Sequence, residues 1–287
     1  MNASALRGLT SAEVAALRRL GHRSGRAASS SPGRHATGRL ARSGAFESHV
    51  PYLPGDDLKR VDWKAAARTG RWLTRLGPVE RGGLVRLWVD ASASMTTRLA
   101  PPNLLSKSEL AIRLALYLGS WRLFTGDRVE VAAFAGLENG QWLSSPALLP
   151  RHPGDLARML DELPVPDRIF EIPEMRSGGE IALFSDFAAD LAALASRLER
   201  WQVRHPLRLC QIQDSEERRG PPPRPLRDAE TGKRRGRLSQ EELKQWRSNV
   251  EGHRQSLLTL CRHHRWTYRI YETQAPVLAA FLAQESR

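Results

Sequence analysis

Apolar positions along this chain follow two rhythms. Residues 84–90, Leu-Val-Arg-Leu-Trp-Val-Asp, form a nearly unbroken apolar run, as does Ile181–Phe184 within 180–186, and 128–134, 207–213 and 267–271 are read as further strands. Such runs, without polar alternation, mark strands buried on both faces of a parallel sheet. Between them the apolar residues recur at helical spacing. Leu110, Leu114, Tyr117, Leu118 and Trp121 make a stripe over 106–124, and Leu156, Met159, Leu160 and Leu163 make one over 153–163. Further helices are predicted over 189–203, 238–264 and 276–283, and a further strand over 143–149. Ser239, with Glu242 three residues on, is a capping-box start for the long helix. Strands alternating with helices predict an α/β fold, a mostly parallel Rossmann-type sheet with helices on both faces.

The flanks differ in texture. Residues 10–20 predict an amphipathic helix capped by Ser11, with Val14, Leu17 and Leu20 on one face. From 23 to 42 the chain is rich in Ser, Gly and Arg and nearly lacks large apolar residues, which predicts a linker. Pro54-Gly55-Asp56-Asp57 is a turn signal, followed by a short helix near Val61, Trp63 and Ala66 and a strand over 71–78. Residues 164–179 hold three prolines and two glycines and read as loop. A polar, Pro-rich excursion spans 214–238, with a small hairpin around 228–232. The expected organisation is an N-terminal helix (1–22), a basic linker (23–44), a distinct segment (45–82) and an α/β domain (83–287).

Charge narrows the partners less than it seems. The net charge is +13, and residues 1–83 carry 15 Lys and Arg against 6 Asp and Glu. Such an excess attracts phosphates, anionic surfaces or acidic protein faces without choosing among them. Lys233-Arg234-Arg235-Gly236-Arg237 adds a basic run, but no nucleic-acid module accompanies it and aromatics do not interleave with it. Cys210 and Cys261, far apart in sequence, make neither a disulfide framework nor a zinc cluster. No stretch approaches 18 apolar residues and no signal-peptide core is present, so a cytoplasmic protein without a membrane span is expected.

Two predicted strands end in acid. The first runs into Asp90-Ala91-Ser92-Ala93-Ser94, and the second ends in Ser185-Asp186. In open parallel sheets ligands collect beyond the strand carboxyl ends. Alternate residues of a loop can aim Asp90, Ser92 and Ser94 at one point, and with Asp186 they supply hard oxygen donors of the kind Mg²⁺ takes. The nucleophile-elbow pattern G-x-S-x-G is absent, and no histidine is placed to pair with Ser92 or Ser94, which argues against a serine hydrolase. Neither a P-loop nor a dinucleotide fingerprint is present, so no nucleotide site is expected.

Asp-x-Ser-x-Ser after an apolar strand resembles the metal-ion-dependent adhesion site of von Willebrand factor A domains. The upstream run Tyr52-x-Pro54-Gly55-Asp56-Asp57-x-x-Arg60-Val61-Asp62-Trp63, with Arg68 and Glu80 beyond it, is similar to the hallmark of the bacterial family called domain of unknown function 58. Residues 38–47, 214–217 and 226–232 also resemble family positions. The resemblance implies a von Willebrand A-like fold, a Mg²⁺ site at Asp90, Ser92, Ser94 and Asp186, and partnership with a MoxR-type AAA+ ATPase and with other von Willebrand A-domain proteins. It also implies a Thr ligand between the two acidic motifs. The stretch 164–179 contains none; Ser177 is its only hydroxyl, and Asp155 and Asp167 are the acidic candidates for a ligand supplied by a different loop. The expected function is therefore a non-enzymatic adaptor with a degenerate adhesion site. The competing expectation is a basic nucleic-acid or anionic-surface binder. The cluster Asp56, Asp57, Asp62, Arg60 and Arg68 reads as a turn held by ion pairs rather than a catalytic acid pair.

Overall fold

The computed structural model describes residues 8–29, 48–51, 63–71, 73–76, 83–97, 99, 104–135, 143–166, 168–169, 179–202, 205–221, 226–227, 234–273 and 276–286. In chain order the elements are α1 (Ser11–Ser29), β1 (Ser48–Pro51), α2 (Trp63–Thr69), β2 (Leu73–Leu76), β3 (Leu84–Asp90), α3 (Ala93–Thr96), α4 (Lys107–Phe124), β4 (Arg128–Ala135), β5 (Leu143–Ser144) and α5 (Pro153–Asp161). They continue with β6 (Arg168–Ile169), β7 (Glu180–Ser185), α6 (Leu191–Gln202), β8 (Leu207–Gln213), α7 (Ser215–Arg219), β9 (Leu226–Arg227), β10 (Arg234–Arg235), α8 (Gln240–His264), β11 (Thr267–Glu272) and α9 (Val277–Glu285). Two compact units share them: residues 1–25 with 83–287, and residues 26–82. In the smaller unit β1 pairs antiparallel with β2, Val50 opposite Thr74. There α2 buries Ala65 and ends at Gly70, whose φ of +66° suits a residue without a side chain.

The larger unit is built on a seven-stranded sheet ordered β11-β8-β7-β3-β4-β5-β6. The five strands from β11 to β4 are parallel, and the two-residue β5 and β6 join antiparallel at the edge. All seven residues of β3 are buried, as a nearly unbroken apolar run in a central strand requires, and so are all seven of β8, among them Arg208, Gln211 and Gln213. Side chains alternate between faces. Val85, Leu87, Val89, Ala182 and Phe184 meet α1, α4, α5 and α9 on one side. Trp88, Ile181, Leu183, Leu207 and Leu209 meet α6 and α8 on the other. The result is an α/β fold of Rossmann-like character, with a mostly parallel sheet between two helical layers.

Several elements differ from expectation. The helix α1 runs on to Ser29 where a linker is expected from residue 23, in keeping with the good helix formers Arg26, Ala27 and Ala28. Thr10 rather than Ser11 caps it: Thr10 N donates to Glu13 Oε2 (2.7 Å) and Glu13 N donates to Thr10 Oγ1 (3.3 Å). Leu17 and Leu20 of α1 join the core. The stretch 164–179 contains the short β6, and the charged excursion contains α7; the antiparallel pairing of β9 with β10 agrees with the hairpin expected around 228–232. The Ser239–Glu242 capping box is present as expected.

Strand order positions the site. From β3 the chain moves to β4 on one side, then returns to β7 on the other side of β3 and proceeds outward through β8 and β11. The helix after β3 packs on one face of the sheet and the helix after β7 on the opposite face. The loops leaving these neighbouring strands therefore head towards opposite faces at the carboxyl edge. In open α/β sheets this topological switch point is where ligands bind.

Candidate functional site

Parallel register brings the two acidic motifs together. Val89 is paired with Phe184, so Asp90 stands level with Ser185 one residue further on. Ser185 Oγ donates to Asp90 Oδ2 at 2.5 Å, and Ser92 N donates to Asp90 Oδ1 at 2.8 Å. Ser92 Oγ, just before α3, and Ser94 Oγ, within its first turn, lie 3.1 Å apart. Asp90 is 2% exposed, whereas Ala91 beside it is exposed and Ser92 and Ser94 are half-buried. The rim thus presents half-buried hydroxyls beside a buried carboxylate.

Asp186, the first residue beyond β7, is held differently. Lys107 Nζ donates to its Oδ2 at 2.8 Å, and Ala188 N donates to its Oδ1 at 3.1 Å. The same ammonium reaches Glu217 Oε1 of α7 at 2.6 Å. Lys107 is 3% exposed and occupies the first position of α4, after Ser106, which forms a capping box with Glu109. The backbone beyond Asp186 is constrained as well. Phe187 is fully buried with φ +53°, a left-handed conformation costly for a bulky residue. It is pinned by Ser185 Oγ, which accepts from its N–H (2.9 Å), and by His253 Nε2 of α8, which donates to its carbonyl (2.9 Å). Gln211 Nε2 of β8 donates to the Asp186 carbonyl at 3.3 Å, and Tyr268 OH of β11 donates to Gln211 Oε1 at 2.5 Å. Asp214, at the end of β8, is fully buried; it accepts from Leu99 N (3.1 Å) and Glu216 N (2.9 Å). These bonds tie the loop after α3 to α7.

Carboxylates dominate the rim. Burial pushes the Asp90 carboxyl up to about 6; the Asp186 charge adds to the rise, while the hydrogen bonds from Ser185 and Ser92 oppose it. Burial also raises Glu217, with Lys107 pulling the other way. Burial alone would depress Lys107, but Asp186 and Glu217 outweigh it and hold the ammonium above the usual lysine range, so it stays charged.

A divalent cation does not fit this donor set as arranged. Each of the four carboxylate oxygens of Asp90 and Asp186 already accepts a bond from a protein donor. One of those donors is a buried positive charge. Among the described residues no group of three or more His, Cys, Asp or Glu is placed to hold a metal. The expected Mg²⁺ ligands Asp90, Ser92, Ser94 and Asp186 do meet at one rim, but Asp186 faces Lys107. Asp155 is engaged locally at the start of α5, with His152 and Arg158. Ser177 and Asp167 lie outside the described residues.

Of the upstream motif, Trp63 opens α2 and Arg68 lies in its last turn. Tyr52, Pro54, Gly55, Asp56, Asp57, Arg60, Asp62 and Glu80 lie outside the described residues. Lys107, Asp214 and Glu217 join the site only through the tertiary structure. One signal pointed to Lys107: a lysine at the first position of a helix opposes the helix dipole, and a residue placed against it has a reason elsewhere.

The model of the family described as Protein of unknown function DUF58 matches residues 48–251. No curated protein matches. The crystal structure of an uncharacterized membrane spanning protein from Vibrio fischeri is 14% identical over 71% of this chain and 97% of that chain, with a TM-score of 0.18, too low to carry a structural argument. Among the described residues no helix is long and apolar enough to cross a membrane. The matched span runs from β1 into α8 and takes in both the upstream motif and the whole acidic rim, and on that extent the chain belongs to the DUF58 family.

Proposed function

We propose that this chain is a docking module, a cytoplasmic von Willebrand factor A-like adaptor that works with a MoxR-type AAA+ ATPase and carries no catalytic activity of its own. One observation carries the proposal. The β3/β7 switch point gathers Asp90, Ser92, Ser94, Ser185 and Asp186 at a single rim, the position where open α/β sheets take ligands. The half-buried hydroxyls of Ser92 and Ser94 and the exposed Ala91 are the parts a partner would touch. The buried Asp90 and Asp186 hold the loops in shape. Ser185 donates directly to a carboxylate, with no imidazole between them to act as a base, which favours binding over acyl transfer.

The test is co-purification of the full chain with a MoxR-type ATPase from the same host, in the presence of ATP, of ADP and of neither. Retention by the wild type and its loss in Asp90→Ala and in Ser92→Ala with Ser94→Ala would support docking at this rim. Absence of association under every nucleotide condition would sink the proposal. The competing nucleic-acid function draws on the net charge of +13. Retardation of duplex or single-stranded probes at low salt, falling steeply as salt rises, would favour it instead.

A further inference from the structure

Lys107 occupies an unusual place. As the first residue of α4 it faces the positive end of its own helix, an unfavourable position for a cation. It is nearly sealed from water, so solvation does not compensate. What holds it is a pair of carboxylates from distant parts of the chain, Asp186 at 2.8 Å and Glu217 at 2.6 Å. Those carboxylates come from two different strand ends, β7 and the helix that follows β8. The ammonium therefore bridges loops that would otherwise bring like charges together.

We infer that Lys107 is a tethered cation, taking at the switch point the electrostatic place of a divalent ion, so that this rim is assembled and kept in shape without metal. Three features carry the inference: the sealed ammonium between Asp186 and Glu217, the protein donors already on every oxygen of Asp90 and Asp186, and the mutual contact of Ser92 and Ser94. A partner would then meet hydroxyls and backbone rather than an open coordination position. The inference concerns how the rim balances its charge and stands whether or not the adaptor proposal holds.

The test uses the purified full chain and the metal ions alone. Calorimetric titration with Mg²⁺ and Mn²⁺ should give no stoichiometric binding, and EDTA should leave Tm unchanged. Lys107→Met should melt well below the wild type, and Mn²⁺ should raise its Tm by restoring a positive charge. A one-to-one Mn²⁺ site in the wild type that disappears in Asp90→Asn would overturn the inference. So would a Lys107→Met variant as stable as the wild type. If Lys107→Met fails to fold, Lys107→Arg should fold and remain insensitive to EDTA; a Lys107→Arg chain that needs Mn²⁺ to fold would overturn it equally.

Discussion

Lys107 Nζ and Asp186 Oδ2 lie 2.8 Å apart, joining the start of α4 to the end of β7 across 79 positions of sequence. Both are buried, so the pair is a fixed strut and not a surface ornament. Removing one partner of such a pair leaves an unpaired charge out of water. Lys107→Met should therefore destabilise the chain by about 3–5 kcal/mol, read by denaturant unfolding. Replacing both partners, Lys107→Met with Asp186→Asn, should cost less than the sum of the two single changes.

Glu13 gives the N-terminal helix a pH signature. Burial raises its pKa, but hydrogen bonds from Tyr117, Thr10 and Arg113 outweigh burial and bring it down from 4.5 to about 2. A depressed carboxyl contributes stability that is fully present above its unfolded value and is lost as pH falls through its folded value. Glu13→Gln should be less stable than the wild type at pH 7, by about 1.5–3 kcal/mol for charge-assisted hydrogen bonds. The gap should close as pH drops from 4.5 towards 2, read by urea midpoints across that range.

Gly119 sets how closely α4 approaches the sheet. A Cβ there would come within 2.5 Å of Leu156 Cδ2 and 2.8 Å of Leu87 Cδ1. Gly119→Ala gains helix propensity but overpacks the layer, and the clash should win. The expected net loss is about 1–3 kcal/mol, with no change in metal response.

Arg208 anchors the opposite end of the molecule. Buried in β8, it pairs with Glu180 of β7 and Glu285 of α9, each at 2.5 Å, and Arg122 also contacts Glu180. Arg208→Met should leave Glu180 to Arg122 and Glu285 to the more distant Arg269 at 3.8 Å, and cost about 3 kcal/mol, the low end for a broken buried pair. Hydrogen exchange should rise first in residues 277–285, because α9 loses its tether to the sheet.

Much of the fold was legible in the chain because its central strands β3 and β7 are buried on both faces and read as nearly unbroken apolar runs. Leu84–Asp90, Glu180–Ser185 and Leu207–Gln213 declare themselves without context, and so do the stripe of α4 and the capping box of α8. The strand expected over 143–149 is present only as the two-residue β5 and an isolated bridge at Leu148, and β6 did not declare itself, because pairing of that length is imposed by neighbours and leaves no period. The extension of α1 escaped notice for a similar reason: its Ser, Gly and Arg composition reads as linker, although Arg and Ala are good helix formers.

The site divides along the same line. Sequence alone determined that two strands end in Asp90 and in Ser185-Asp186, since a strand's terminal residue is a local property. Tertiary structure alone decided that these ends are adjacent, that Ser185 reaches Asp90, and that Lys107 and Glu217 arrive from elsewhere to close the charge balance. Strand order and register are long-range choices, set by which faces must be buried together. A lysine beside a serine in the primary chain carries no mark of the carboxylate it will meet.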